Sequence, residues 1–155
     1  MASRGAELER KINKANIKYR KERSALIRKI DLPVVLTKSG PVMKRSTVDY
    51  EGLVDGGRAI AFDAKQTKVK TRFDLKNIHD HQLHYLNYVQ DLGGISFFLI
   101  QFTEIYKNKA YIVLPEIINH WIYSGDRKSI PYKEIEKGCV LTNINNYLEA
   151  VITND

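Results

Sequence analysis

Alternation of hydrophobic and polar residues predicts a β-hairpin over residues 47–65. Val48 and Tyr50 alternate with polar residues in the first run, and Ile60 and Phe62 do so in the second. Between the two runs lies Asp-Gly-Gly at residues 55–57, and glycine adopts the positive φ angles of tight turns without strain. Pairing of the two runs would bring every second side chain of each strand to a common surface.

The hydrophobic pattern also predicts the elements on either side of the hairpin. Apolar residues spaced by three and four predict helices over residues 5–30, over residues 75–92, and from Pro115 to the Ser124-Gly125 stop. Short apolar runs predict strands over residues 34–36, 95–102 and 110–114, with a polar turn over residues 37–41. The run 95–102 is apolar enough for a central strand. This order predicts an α/β fold in which helices flank a mixed sheet.

Two aspartates and a lysine make the hairpin a candidate metal site. Thr47 and Asp49 project to one side of the first strand, and Asp63 and Lys65 project to one side of the second. Two carboxylates on one surface repel each other unless a cation lies between them, and Mg²⁺ prefers such oxygen ligands. The lysine could neutralise charge on a phosphate or orient an attacking water. The alternative is a solvated hairpin face with an incidental aspartate–lysine pair.

The net charge of the chain favours an anionic binding partner. The 155-residue chain carries a net charge of +7, with a pI near 9.4. Ten of its 25 Lys and Arg residues lie in the first thirty positions, which favours a phosphate-contacting surface over a merely solvated one. The candidate phosphate contacts in this region and in the basic loop 66–73 are Arg4, Lys14, Lys18, Lys21, Lys68, Lys70 and Arg72.

The cysteine and histidine residues argue against disulfides and against a zinc site. Cys139 is the single cysteine, so no disulfide framework or cysteine-based zinc site is expected. Among the histidines, His81 and His84 are three apart on a predicted helix, but no glutamate lies between them in the H-E-x-x-H manner. Helix capping, packing or phosphate contact is the favoured role. Gln82 offers a neutral amide oxygen that could complete a Mg²⁺ shell.

No apolar membrane span or signal-peptide core is present, so a cytoplasmic location is expected.

Six collinear segments carry a resemblance to a known family. They are Arg-Gly-x-x-Leu-Glu over 4–9, Thr-Val-Asp-Tyr-x-Gly over 47–52, Phe-Asp-Ala-Lys-x-Thr over 62–67, Leu-Lys-Asn-Ile-His-x-His-Gln over 75–82, Gly-Gly at 93–94, and Arg-Lys-Ser-Ile-Pro over 127–131. In these segments the chain resembles the RecU-type Holliday junction resolvases, also called penicillin-binding-protein-related factor A. That family has the PD-(D/E)xK fold of restriction endonucleases.

The resemblance implies specific roles for residues of this chain. Thr47, Asp49, Asp63 and Gln82 would bind Mg²⁺, with Mn²⁺ as a substitute, and Lys65 would stabilise the transition state. Glu9 would lie near the metal as a further catalytic residue. The candidate phosphate contacts named above would then be DNA contacts, and Arg127 and Lys128 in the last segment would join them. Two departures are visible: Asp63 stands where the family usually has glutamate, and the segment before Thr47, which forms a junction-entering stalk in the family, is short.

The implied protein is a Mg²⁺-dependent resolvase in DNA recombination and repair. It would be one nuclease domain, with residues 1–32 as a basic N-terminal helix and residues 43–155 as the catalytic core. Two symmetric nicks that leave 5′-phosphates would require a C2 homodimer on a four-way DNA junction, and a recombinase is a further candidate partner. Two alternatives stay open: a phage-type endonuclease of the same fold that cuts flaps, forks or duplex DNA, and a non-catalytic DNA-binding modulator of recombination.

Overall fold

Ten strands and five helices make up the part of the chain that the computed structural model describes, residues 5–31, 34–43 and 48–152. The strands are β1 (Ala25–Lys29), β2 (Val34–Thr37), β3 (Gly40–Met43), β4 (Tyr50–Val54), β5 (Arg58–Thr67), β6 (Arg72–Asp74), β7 (Ile95–Phe102), β8 (Lys109–Val113), β9 (Ser129–Pro131) and β10 (Val140–Asn143). The helices are α1 (Ala6–Glu22), α2 (Asp80–Asp91), α3 (Pro115–Tyr123), α4 (Tyr132–Gly138) and α5 (Glu149–Ile152). None of these helices is long and apolar enough to span a membrane.

The main sheet has six strands in the order β1-β4-β5-β7-β8-β10. Strands β5 and β7 pair in parallel, whereas every other neighbouring pair in this sheet is antiparallel. All eight residues of β7 are buried, which accounts for its strongly apolar composition. Helix α1 packs on one face of the sheet through Leu8 and Ile12. Helices α2 and α3 pack on the other face, where Leu86 and Ile118 are fully buried. The predicted mixed sheet flanked by helices is therefore confirmed.

The predicted hairpin is the pair β4–β5. Its turn contains Gly56 and Gly57 with φ angles of 85° and 74°, the left-handed conformation that glycine accommodates. Tyr50 pairs with Phe62, and their rings stack with centroids 4.9 Å apart. The predicted strands at 34–36, 95–102 and 110–114 and the helix from Pro115 are confirmed with small shifts of boundary.

The predicted helix over residues 5–30 is too long, and so is the N-terminal helix of residues 1–32. Helix α1 ends at Glu22, because Arg23 adopts a left-handed conformation with a φ of 57°. Residues 25–29 instead form β1, with Ala25 and Ile27 buried and Leu26 and Arg28 exposed. The strand fits tightly against β4, since a Cβ atom on Gly52 would lie 1.9 Å from the Leu26 carbonyl oxygen. Glycine at position 52 therefore permits the sheet to extend to β1.

The predicted helix over residues 75–92 begins later than expected. Residues 75–77 form a single 3₁₀ turn, and α2 begins at Asp80. Before this turn, β6 pairs antiparallel with β9, so that Phe73 faces Ile130. The polar turn predicted at 37–41 is also shorter, because Gly40 already belongs to β3 and pairs with Thr37 of β2. All four residues of β2 are exposed.

Candidate active site

One pocket of about 320 Å³ collects five of the residues that the sequence selects as catalytic or metal-binding. They are Glu9, Asp49, Asp63, Lys65 and Gln82. The pocket lies where β4 begins and β5 passes beside it, between the first turns of α1 and the start of α2. Thr47, the remaining predicted metal ligand, lies outside the described residues.

The two aspartates are held in place by the hairpin backbone. Asp63 is buried, with 1% of its side chain exposed, and its Oδ2 lies 3.0 Å from Lys65 Nζ. The other oxygen of Asp63 accepts a hydrogen bond of 3.0 Å from the Asp49 backbone N–H. Asp49 Oδ2 in turn accepts one of 3.0 Å from the Ala64 backbone N–H. Each carboxylate is thus tied to the strand that carries the other, which fixes their relative orientation.

The electrostatics of the pocket favour a bound cation. Burial, and secondarily the negative charge of Asp63, raise the pKa of Asp49 to about 6, although the Ala64 hydrogen bond and Lys65 act in the opposite direction. A cation between the two aspartates would relieve this penalty. Carboxylate oxygens are ligands that hard divalent ions prefer, so the donor set fits such an ion. No cluster of three or more His, Cys, Asp or Glu side chains suited to a metal occurs in the described part of the chain.

The raised pKa of Asp49 predicts a stability gain for Asp49→Asn in metal-free protein. The folded state holds the Asp49 proton up to about pH 6, whereas the group's ordinary pKa is 3.8. Tighter proton binding by Asp49 in the folded state stabilises the fold relative to high pH. This stabilisation is complete below about pH 4 and is lost as the pH rises through 6. Thermal unfolding in a chelator should show Asp49→Asn more stable than wild type at pH 8, with a smaller difference at pH 4.5.

A suitable control for this measurement is Asp126→Asn, because Asp126 is exposed. Its unfolding temperature should follow that of the wild type at both pH values. If Asp49→Asn melts at or below the wild-type temperature at pH 8, the proposed cost of ionising Asp49 in the fold is wrong.

Glu9 reaches the pocket from α1 and is held there by neighbours of Asp49. Its Oε2 lies 2.6 Å from Lys29 Nζ at the end of β1. Lys29 pairs in register with Tyr50, and the Tyr50 hydroxyl donates a hydrogen bond of 2.9 Å to Asn13 Oδ1. Two residues of the sheet thus fix the first turns of α1 over the pocket. Sequence patterns placed Lys29 on a helix, so its contact with Glu9 was not predicted.

Gln82 lies in the pocket wall, but its amide oxygen also has a structural partner. Gln82 Oε1 accepts a hydrogen bond of 3.2 Å from the His79 backbone N–H, which stabilises the start of α2. His79 and His81 stack with ring centroids 5.7 Å apart, and His84 is exposed. Metal binding by Gln82 stays a prediction.

The pocket has lining residues that sequence reasoning did not assign. Among the described residues these are Gly5, Leu8, Ala64, Gln66, Lys76, Asn77 and His79. Lys76 and Asn77 come from the 3₁₀ turn before α2. Their position within the matched segment 75–82 was the signal that could have identified them.

The predicted DNA contacts occupy different environments. Lys14 and Lys21 are exposed on α1, whereas Lys18 Nζ donates to the Asn145 carbonyl oxygen at 2.9 Å and to Asn146 Oδ1. Arg4 lies outside the described residues.

The other predicted DNA contacts surround the pair β6–β9. Arg72 pairs in register with Pro131, and its Nε lies 2.9 Å from Asp74 Oδ1. The Leu75 backbone N–H donates to the Lys128 carbonyl oxygen at 2.9 Å. The remaining predicted contacts, Lys68, Lys70 and Arg127, are exposed. We call the pair β6–β9 with its adjoining residues 68, 70, 127 and 128 the basic ribbon, and it joins two basic segments that are far apart in the sequence.

Comparison with known proteins gives a consistent set of relatives. The family model of recombination protein U, RecU, matches residues 3–153. A protein named Holliday junction resolvase RecU from Leuconostoc mesenteroides is 37% identical over 96% of this chain and 80% of its own length. Proteins with the same name from Geobacillus sp. strain WCH70 and Oenococcus oeni are 40% and 35% identical, over 87% and 90% of this chain and 73% and 77% of their own lengths.

Proposed function

Because the chain belongs to the recombination protein U family, we propose that it is an endodeoxyribonuclease that resolves Holliday junctions in DNA recombination. The observation that carries this proposal is the pocket in which Asp49, Asp63 and Lys65 meet. The names of the relatives supply the substrate class, a four-way DNA junction. A cytoplasmic site of action and a role in repair follow from such a substrate as part of the proposal.

The resolvase relationship implies dependence on a divalent metal ion, and we propose Mg²⁺, with Mn²⁺ as a substitute. Asp49 and Asp63 would hold the ion, with Gln82 and Thr47 as further candidate ligands. When bound, the ion supplies Lewis-acid polarisation of the scissile phosphate and a lowered pKa for a bound water.

The chain's own residues orient and stabilise the reacting groups. Asp63 holds Lys65 Nζ at 3.0 Å, so the ammonium is positioned before substrate binds. Lys65 would donate a hydrogen bond to a phosphoryl oxygen as negative charge develops there. Glu9, held by Lys29, forms the α1 side of the pocket. Hydrolysis would leave a 5′-phosphate and a 3′-hydroxyl.

Paired nicks require two active sites, which a C2 homodimer would supply. One surface suited to a second copy lies on β1 and β4, where Leu26 and Leu53 pair with 54% and 48% exposure. Sedimentation should therefore give a dimer, and both strands of a junction should be cut in one binding event. A recombinase is a further candidate partner.

The decisive experiment is cleavage of a mobile synthetic four-way junction with Mg²⁺ and with a chelator. Flap, fork and linear duplex substrates belong in the same assay. Preferential, symmetric junction cleavage supports the proposal. Preferential cutting of flaps, forks or duplex would indicate a different endonuclease specificity, and binding without Mg²⁺-dependent nicking would indicate a non-catalytic modulator.

Exposed lysines on α1 should contribute to DNA affinity through the phosphate backbone. Neutralising Lys14 and Lys21 together should flatten the plot of log affinity against log salt by up to about 1.8, at about 0.9 per lost phosphate contact. Lys18→Ala should change this slope less, because Lys18 already binds Asn145. Titrations over a range of salt concentrations measure the effect.

The matched control for this double variant neutralises Lys133 and Lys137, two exposed lysines on α4. An α1 variant whose slope equals that of the wild type would show that this face of α1 contacts no phosphate.

A further inference from the structure

We propose that Lys76 binds the DNA phosphate next to the one being cleaved, and so positions the strand in the pocket. This inference rests on the proposed function. Lys65 and Lys76 are the two lysines that line the pocket within the described residues. They enter it from different elements, Lys65 from β5 and Lys76 from the 3₁₀ turn before α2.

The two lysines differ in what they already bind. The ammonium of Lys65 lies 3.0 Å from the buried carboxylate of Asp63. Lys76 is exposed, and no side-chain hydrogen bond or ion pair engages it in the described part of the chain. An unpaired ammonium in a pocket that also holds Glu9, Asp49 and Asp63 offsets the repulsion between these acids and an incoming phosphate.

The backbone that carries Lys76 is fixed on both sides. Phe73 before the turn and Ile78 after it are buried, at 0% and 7% exposure. The Leu75 backbone N–H donates to Lys128 on the basic ribbon, and the Ile78 N–H donates to the Leu75 carbonyl oxygen at 3.0 Å. The base of the Lys76 side chain is therefore held in place before DNA binds, which lowers the entropic cost of a contact.

The position of Lys76 selects the neighbouring phosphate over the scissile one. Asp63 and Lys65 are adjacent to Asp49, where the reacting phosphate would bind. Lys76 lines the pocket from a different element, the 3₁₀ turn, and that turn is joined to the basic ribbon through Leu75. A strand that runs from the ribbon into the pocket would meet Lys76 before it reaches Lys65. A lysine ammonium binds phosphate as a point charge, so this contact would carry no sequence preference.

The test combines Lys76→Ala with a junction that carries one methylphosphonate, a neutral linkage, beside the scissile phosphate. Lys76→Ala should raise the junction concentration for half-maximal cleavage about tenfold, as loss of one charged hydrogen bond predicts. The single-turnover rate at saturation should stay within about threefold of wild type. The methylphosphonate should weaken wild-type binding by a similar factor but should add little to the defect of Lys76→Ala. Lys76→Arg should restore affinity, and Lys137→Ala should leave it unchanged.

Two outcomes would overturn the inference. Independent, multiplying effects of the variant and of the methylphosphonate would show that Lys76 does not contact that phosphate. A collapse of the saturating rate with unchanged affinity would show that Lys76 acts in the chemical step. Junction affinities measured in a chelator compare the effects of Lys76→Ala and of the methylphosphonate, alone and together, without any cleavage. Absence of wild-type cleavage would therefore count against the proposed function, and the binding data would still decide the role of Lys76.

Discussion

Asp63→Asn should abolish junction cleavage and leave junction binding intact or tighter. Asp63 is the most buried acid of the pocket, and both of its oxygens are engaged, one by Lys65 and one by the Asp49 backbone. The amide keeps the size of the side chain but removes the charge that would bind a metal ion. It also removes some repulsion towards the DNA phosphate. Single-turnover cleavage of a labelled junction measures the rate, and a gel-shift titration measures binding.

Two companion variants sharpen this measurement. Asp49→Asn should also abolish cleavage, since both carboxylates are proposed to hold the ion. Asp63→Glu should retain activity, because it preserves the charge and matches the residue that RecU-type resolvases usually have at this position. If either asparagine variant retains more than a few per cent of the wild-type rate, the proposed metal site is wrong. Asp126→Asn, a change to an exposed aspartate, serves as the control.

Lys65→Ala should slow cleavage by about 10²- to 10³-fold, the range found when one donor to a charged transition state is removed. Its ammonium lies beside Asp63 with only 15% of its side chain exposed, so the surrounding protein strengthens its electrostatic effect. Junction affinity should change little, since one phosphate contact among many is lost. Rates at saturating protein separate this effect from binding.

The contrast with Lys76 provides an internal control for Lys65. Lys65→Ala should lower the saturating rate, whereas Lys76→Ala should lower affinity, although both remove one ammonium from the same pocket. Loss of affinity with a normal saturating rate in Lys65→Ala would reassign this lysine to substrate binding.

Local sequence patterns predicted the elements whose partners are near in the chain. The β4–β5 hairpin follows from alternation on both sides of a two-glycine turn, and it brings Asp49 to Asp63 without help from the rest of the fold. Six of the eight residues of β7 are apolar, which makes a buried strand the natural interpretation. The core of the pocket was therefore predictable from the sequence.

Elements that depend on distant partners were not predictable. The apolar residues at 26, 27 and 30 fit helical spacing, whereas those at 25 and 27 fit strand alternation, and only pairing with β4 decides for the strand. Helix α1 also ends at Glu22 with Arg23, not glycine, in the left-handed position that follows, so the usual signal for a helix end is missing. Strands β6 and β9 have three residues each, and their pairing spans the intervening α2, β7, β8 and α3. The contacts of Lys29 and the placement of Lys76 depend on these pairings.

The parallel pairing of β5 with β7 has a consequence for the order in which the pocket assembles during folding. A hairpin closes a short loop, so Asp49, Asp63 and Lys65 can meet early. The β5–β7 pair must wait for the crossover through α2, because parallel strands cannot be joined by a tight turn. The wall that carries Lys76 and Gln82 belongs to this crossover connection and is completed only with it. We therefore expect the centre formed by Asp49, Asp63 and Lys65 to assemble first and the wall that carries Lys76 and Gln82 to assemble last. A partly folded chain would then contain the proposed catalytic residues but would lack part of the proposed DNA-binding surface.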